Sequence, residues 1–206
     1  RALATVNAAL ELEADNRAQC LLLKSEILGA LNQFSLARKT QREVRRAVLD
    51  EAIPKRSEDT NSRFVDLTRH YNVSLGEFPY QTEQASRSLT ETFNQIPPGV
   101  GSFAGISFDV RGVLALAGTE TELSAGLYGL NSARTGIPVE RKATSMHLLH
   151  GAGWGDSEPH GTCIGEVVVH YEDGETRTVE ICAGKHVRDW FLSNSHTRQV
   201  SDGTLA

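Results

Sequence analysis

Apolar residues recur at three- and four-residue steps from Ala2 to about Ala52, the spacing that lines one face of an α-helix. Three stretches carry the pattern: ALATVNAALELEAD, NRAQCLLLKSEILGALNQ and FSLARKTQREVRRAVLDEAIP. They contain no internal proline, and Gly29 is their only glycine. Asp15-Asn16 stands where an N-cap is wanted, because a short polar side chain can accept from the free N–H groups of the next turn. Pro54 stops the third helix, since it has no N–H to donate. Residues 55–62, KRSEDTNS, are polar with no apolar anchor and read as a linker.

From Arg63 the period changes to two and glycine becomes frequent. FVDLTRHYNVSL, GSFAGISFDVRGVLALAG, ATSMHLLHGAG, GTCIGEVVVHYEDGETRTVEICAG and VRDWFL read as short strands broken by turn residues. Residues 82–94, TEQASRSLTETFN, fit a short helix or a polar loop. Strands without alternating helices point to antiparallel sheets stacked as a sandwich. The chain as a whole is therefore expected to be α+β.

The strongest hairpin is CIGEVVVHYEDGETRTVEIC. A two-residue Asp173-Gly174 turn would set Glu172 opposite Glu175, a like-charge pair that weakens the ladder. A three-residue loop, Glu172-Asp173-Gly174 with Gly174 left-handed, avoids this and sets Val167 opposite Val179 and Val169 opposite Arg177.

The wording of the helices resembles tetratricopeptide repeats over about one and a half units, with Leu31, Phe34 and Ala37 near that family's packing positions. The usual Trp, Gly and Tyr positions are absent. A single repeat cannot bury its apolar face alone, so the resemblance implies either further repeats ahead of Arg1 or docking of these helices on the β-rich part of the chain. FAGISFDVRGVLALAG, RKATSMHLLHGAGWG and GTCIGEVVVHYEDGETRTVEICAGKHVRDWF resemble a β-sandwich module at the C-terminal ends of multidomain bacterial proteins. They are also similar to the group of new putative carbohydrate-binding modules. That resemblance implies a galactose-binding-like jelly roll over residues 63–192, a binding role and no catalytic residues. The expected organisation is a helical segment 1–54, the linker 55–62, the module 63–192 and a polar tail 193–206.

The 206 residues carry a formal charge of −5, which removes the electrostatic case for nucleic acid or anionic lipid. No apolar run exceeds five residues, far short of the roughly 20 that span a bilayer, so membrane insertion is not expected. The chain opens on Arg1 and its single methionine is Met146, so it is expected to be either a processed form or a piece of a longer protein. Cys20, Cys163 and Cys182 are odd in number and widely spaced, which favours a reducing compartment. A bridge between Cys163 and Cys182 stays open if they lie on neighbouring strands.

Candidate chemistry gathers in HLLHGAGWGDSEPHGTC, residues 147–163. On a strand from Ala143 to His150, His147 and His150 face opposite sides and cannot share an ion. A zinc site would have to combine His150, His160 and Cys163 with Asp156 or Glu158, a spacing that matches no common signature. Gly155-Asp156-Ser157 lacks the Gly-x-Ser-x-Gly elbow and a following Asp-x-x-His. Cys163 as a nucleophile, with His150 or His160 as base, has no marking charge around it. Neither catalytic residues, nor a metal, nor a cofactor are assigned. A recognition loop uses other physics: Trp154 offers a flat face to a sugar ring, and Asp156, Glu158, His160 and His150 offer hydrogen bonds around it. Gly151, Gly153 and Gly155 let the chain turn closely. Trp154 as a cap on the sandwich core is the competing reading. The expected partners are a glycan at this loop or a protein at the helices. Asp109 and Arg111 on one strand face, and Arg188-Asp189 near the end, read as fold determinants, while His170 reads as a surface residue and His147 as a core or edge one.

Overall fold

The computed structural model describes residues 1–11, 16–77, 93–118, 130–153 and 158–189. The chain divides into two compact units, Arg1–Gly101 with Asp109–Glu140, and Ser102–Phe108 with Arg141–Ala206.

The first unit opens with three helices, α1 Ala2–Glu11, α2 Arg17–Ala30 and α3 Phe34–Ala52. Their faces follow the sequence period: Val6, Leu21, Leu28, Ala37 and Leu49 are buried. Small residues let α2 and α3 approach, and the buried Ser25 hydroxyl donates to the Ala37 carbonyl at 3.3 Å. Asn16 occupies the N-cap of α2, but its side chain makes no capping bond, and Asp15 lies outside the described residues. Asn32 ends α2 in the left-handed region at φ 56°, as a short amide side chain tolerates. The C-cap Ile53 is extended ahead of Pro54, the conformation that a following proline imposes. Leu31 and Phe34, expected at packing positions, are 54% and 61% exposed; of that trio only Ala37 is buried.

Residues 55–62 do not separate two bodies. Leu49 and Ile53 cluster with Tyr71, and Leu67 packs against them. Glu77 accepts from Arg45, which also donates to the Asn72 carbonyl at 3.2 Å. The Asn72 amide clamps Ala115 twice, donating to its carbonyl and accepting from its N–H at 2.8 Å each. Beside it Val73 bridges Val113 antiparallel, and Val73, Ala115 and Leu130 form a second cluster. Segment 64–75, expected as a strand, is irregular here, with turns at 68–70 and that one bridge, and its polar groups are spent on α3 and on residues 109–115.

Arg111 lies at the centre of this unit with 2% of its side chain exposed. Its guanidinium donates to Asp109 at 3.3 Å, Asp66 at 3.1 Å, Thr68 at 2.7 Å and the Pro54 carbonyl at 3.3 Å, and lies 5.7 Å over the Tyr71 ring. Arg56, from the expected linker, reaches Asp66 at 3.3 Å and Asp109 at 3.7 Å. The expected pairing of Asp109 with Arg111 is present and is part of a larger network. Gly112 is required beside it, since a Cβ there would lie 2.9 Å from the Tyr71 ring.

Strands β1 Gly99–Phe103 and β2 Ile106–Val110 form a hairpin around Ala104 and Gly105, with φ of 49° and 80°. Those paired left-handed residues make a two-residue turn that matches strand twist. Phe103 and Phe108 meet edge to face at 6.1 Å. In the second unit β3 Cys163–His170 pairs antiparallel with β4 Thr176–Cys182. Val167 faces Val179, Val169 faces Arg177, and Gly174 is left-handed at φ 87°, so the three-residue loop holds. His170 is exposed opposite Thr176, as expected of a surface residue. Residues 143–150 form no strand, and His147 is exposed, neither core nor strand edge. Among the described residues the sheets comprise two strands each, giving an α+β chain. The segment 82–92 and the tail 193–206 lie outside the described residues.

Arg111→Met leaves the Asp109 carboxylate, whose side chain is only 4% exposed, with Arg56 at 3.7 Å as its remaining cation, and removes a buried donor from Asp66 and Thr68. It is expected to cost about 3–5 kcal/mol, read from the urea unfolding midpoint. The double variant with Asp109→Leu should lose markedly less than the two single losses summed.

Acid weakens the same unit. Desolvation pushes the Asp66 carboxyl up, but hydrogen bonds from the Thr68 hydroxyl and amide, with the charges of Arg56 and Arg111, outweigh it and bring the pKa to about 2. Glu77 is lowered similarly, desolvation being outweighed by Arg45 and Ser74. Both pKa values fall on folding, so their stabilisation is present above the unfolded carboxylate range and lost as pH drops toward 2. Thermal midpoints should fall between pH 5 and about 2, and Asp66→Asn should flatten that fall while lowering the midpoint at neutral pH.

Candidate functional site

Of the expected recognition residues, those described belong to the second unit, near the open end of the β3–β4 hairpin. Trp154 and Asp156 lie outside the described residues, so whether Trp154 caps a core or faces a ligand falls there too. Glu158, His160 and His150 are described, and all three are exposed.

A turn from Cys182 to Val187 organises this end. Gly184 donates to the Val187 carbonyl at 2.8 Å, and the His186 amide donates to the Cys182 carbonyl at 2.9 Å. The Cys182 amide in turn donates to His186 Nδ1 at 3.0 Å, which puts the neutral ring's proton on Nε2. Gly161 and Ala183 exchange backbone bonds with their neighbours across the turn, Gly161 to Ala183 O and Ala183 to Thr162 O, each at 2.8 Å. Ala152 donates to the Arg188 carbonyl at 3.1 Å and bridges Asp189 in parallel.

Those contacts bring the two expected histidines to one turn. His160 rests on Gly184: a Cβ there would lie 2.5 Å from its ring, and Gly184 is left-handed at φ 71°. His150 meets His186. Its residue surface is exposed as a whole, yet desolvation of its imidazole lowers its pKa, the charge of His186 lowers it further, and a hydrogen bond with the His186 backbone opposes both. A ring so placed is neutral near pH 7 and able to accept or donate.

The ligand set of His150, His160 and Cys163 is not the one that assembles. Among the described residues, the metal-ligating atoms that converge are those of Cys163, Glu180 and Cys182, all within 4.8 Å of one another. The register explains it. From His170 to Gly165 each β3 residue faces the β4 partner that sums to the hairpin's constant, and continuing would set Cys163 opposite Ala183. A bulge between Cys163 and Gly165 removes one step and sets Cys163 opposite Cys182. Glu180, two residues before Cys182, shares its face and reaches the Cys163 thiol at 3.6 Å. Both cysteines are free thiols, Cys163 exposed and Cys182 buried. Hydrogen bonding with the Cys182 thiol, together with desolvation and the Glu180 carboxylate, pushes the Cys163 thiol up to about 11. Cys163 and Cys182 do lie on neighbouring strands, as free thiols and not as the bridge that the sequence leaves open. Glu180 and His186 were not legible as site residues, because only the bulge and the 182–187 turn gather them, and the available sequence signal is Gly165 near Cys163.

No family model, curated protein or solved structure matches the chain.

Gly184→Ala should destabilise this unit by about 1–3 kcal/mol, through positive φ and the clash with His160. Adding His160→Ala should recover the steric part and leave the backbone part, a double-mutant cycle that denaturant titration resolves.

Proposed function

We propose that this chain is a non-catalytic recognition module and that its helices form the partner surface. The observation that carries this reading is the groove of about 430 Å³ between α2 and α3, lined by Leu22, Gly29, Phe34 and Ala37 with Glu26 and Arg38 at its sides. Leu22 and Phe34 are 49% and 61% exposed there. An α-helical pair that leaves such residues in water is incomplete in the way a repeat unit is incomplete without its neighbour. The occupant that fits is an amphipathic helix presenting an apolar stripe, the form in which a neighbouring helix covers such a groove. The resemblance of α2 and α3 to a tetratricopeptide repeat supports the same chemistry. Cys163 supports the non-catalytic part, because a thiol raised to about 11 is shifted in the direction opposite to an activated nucleophile.

A second reading places glycan recognition at the end loops of a galactose-binding-like jelly roll. It rests on the resemblance of residues 63–192 and on the exposure of His150, Glu158 and His160 beside Trp154 and Asp156 in sequence.

Deleting residues 1–54 would remove the α3 side of the Arg111 unit, so exposed point variants are the proper test. The chain should bind members of a panel of fluorescent amphipathic helical peptides in anisotropy titrations. Leu22→Glu and Phe34→Glu should each weaken that binding at least about tenfold, as expected of anchor residues, with thermal midpoints unchanged. Binding indifferent to both variants, or no peptide bound, sinks the helical reading. Tryptophan emission that shifts with an oligosaccharide panel and ignores both variants supports the glycan reading instead.

A further inference from the structure

We infer that Cys163, Cys182 and Glu180 form a thiolate-rich site for a divalent cation of the zinc class at the base of the β3–β4 hairpin. Three features carry this, independently of the helical groove. The first is distance. An ion held tetrahedrally with metal–sulfur and metal–oxygen lengths of about 2.3 and 2.1 Å keeps those ligand atoms about 3.6 Å apart. Cys163 Sγ and Glu180 Oε2 are separated by 3.6 Å, and the Cys182 thiol lies within 4.8 Å of both. One ion therefore fits with only small side-chain rotations.

The second feature is the bulge. It departs from the register that the hairpin loop sets, and its one consequence for chemistry is to face Cys163 with Cys182. Bulges cluster where a side chain must be re-aimed. The third is charge. Glu166 stands directly opposite Glu180, a like-charge pair that a ladder ordinarily avoids. A dication between Glu180 and two thiolates relieves that repulsion.

Soft thiolates with one carboxylate select zinc-class ions over calcium or magnesium, which require hard oxygen shells. With three protein ligands, the fourth position of the tetrahedron goes to solvent. Binding replaces the two thiol protons with the ion and releases them to water, with no change of oxidation state.

The test is titration of the full 206-residue chain, reduced and then freed of reductant under argon, with cobalt(II) followed by zinc(II). The expected result is one cobalt bound per chain with a thiolate-to-metal charge-transfer band that zinc erases. Cys163→Ser, at an exposed position, should abolish the band and weaken binding at least about 100-fold. Glu180→Gln should weaken binding and keep the band, and Cys20→Ser should change neither. Far-UV circular dichroism of each variant confirms that the fold is retained. Absence of the band, or a band that survives Cys163→Ser, overturns the site. So does a reduced chain that closes a Cys163–Cys182 disulfide in air whether or not zinc is present, since the pair is then a redox couple.

Discussion

The first unit is organised around one guanidinium. Arg111 is withdrawn from water, and a buried cation is tolerable only when each of its donors finds a partner. Its fork draws on four separate places in the chain: the Pro54 carbonyl, Asp66 with Thr68, the Tyr71 ring, and Asp109 near the end of β2. A lysine could not do this, because a single ammonium has no planar fork to span them. The requirement ties the end of α3 to the segment after Pro54 and to the close of β2. It also explains why KRSEDTNS, so plainly a linker by composition, lies against folded chain: Arg56 is a second cation on the same two carboxylates.

The second unit depends on register. A three-residue loop with left-handed Gly174 sets which side chains of β3 and β4 share a face, and a single bulge then resets the last pair. Because side-chain direction in a strand has period two, one residue of slip decides whether a cysteine meets alanine or cysteine. The cluster of Cys163, Glu180 and Cys182 is thus a product of backbone geometry, and the adjoining 182–187 turn holds His186, His160 and His150 nearby.

The helices show a different constraint. Leu22 in α2, Leu31 in the turn after it and Phe34 at the start of α3 are as apolar as the buried Leu21 and Leu28, yet they face solvent. Periodicity says which residues share a face; it does not say that a face is covered.

Local order was legible in the sequence wherever the cause is local. Helical period marks α2 and α3, proline stops α3, and the avoided Glu172–Glu175 pair selects the Gly174 loop with its register. The same alternation that found that hairpin failed for residues 64–75 and 143–150. In the first of these, side chains such as Asn72 hydrogen-bond to distant residues, and no periodic rule encodes that choice. The pairing of Asp109 with Arg111 could be foreseen from their shared face. The burial of that pair among Asp66, Thr68 and Tyr71 could not. Local dihedral preferences and turn chemistry act within a few residues, so the sequence determines them alone. Which polar groups meet across 40 or more residues, as Arg111 and Asp66 do, is decided only when the whole chain closes and each buried charge must find its partner.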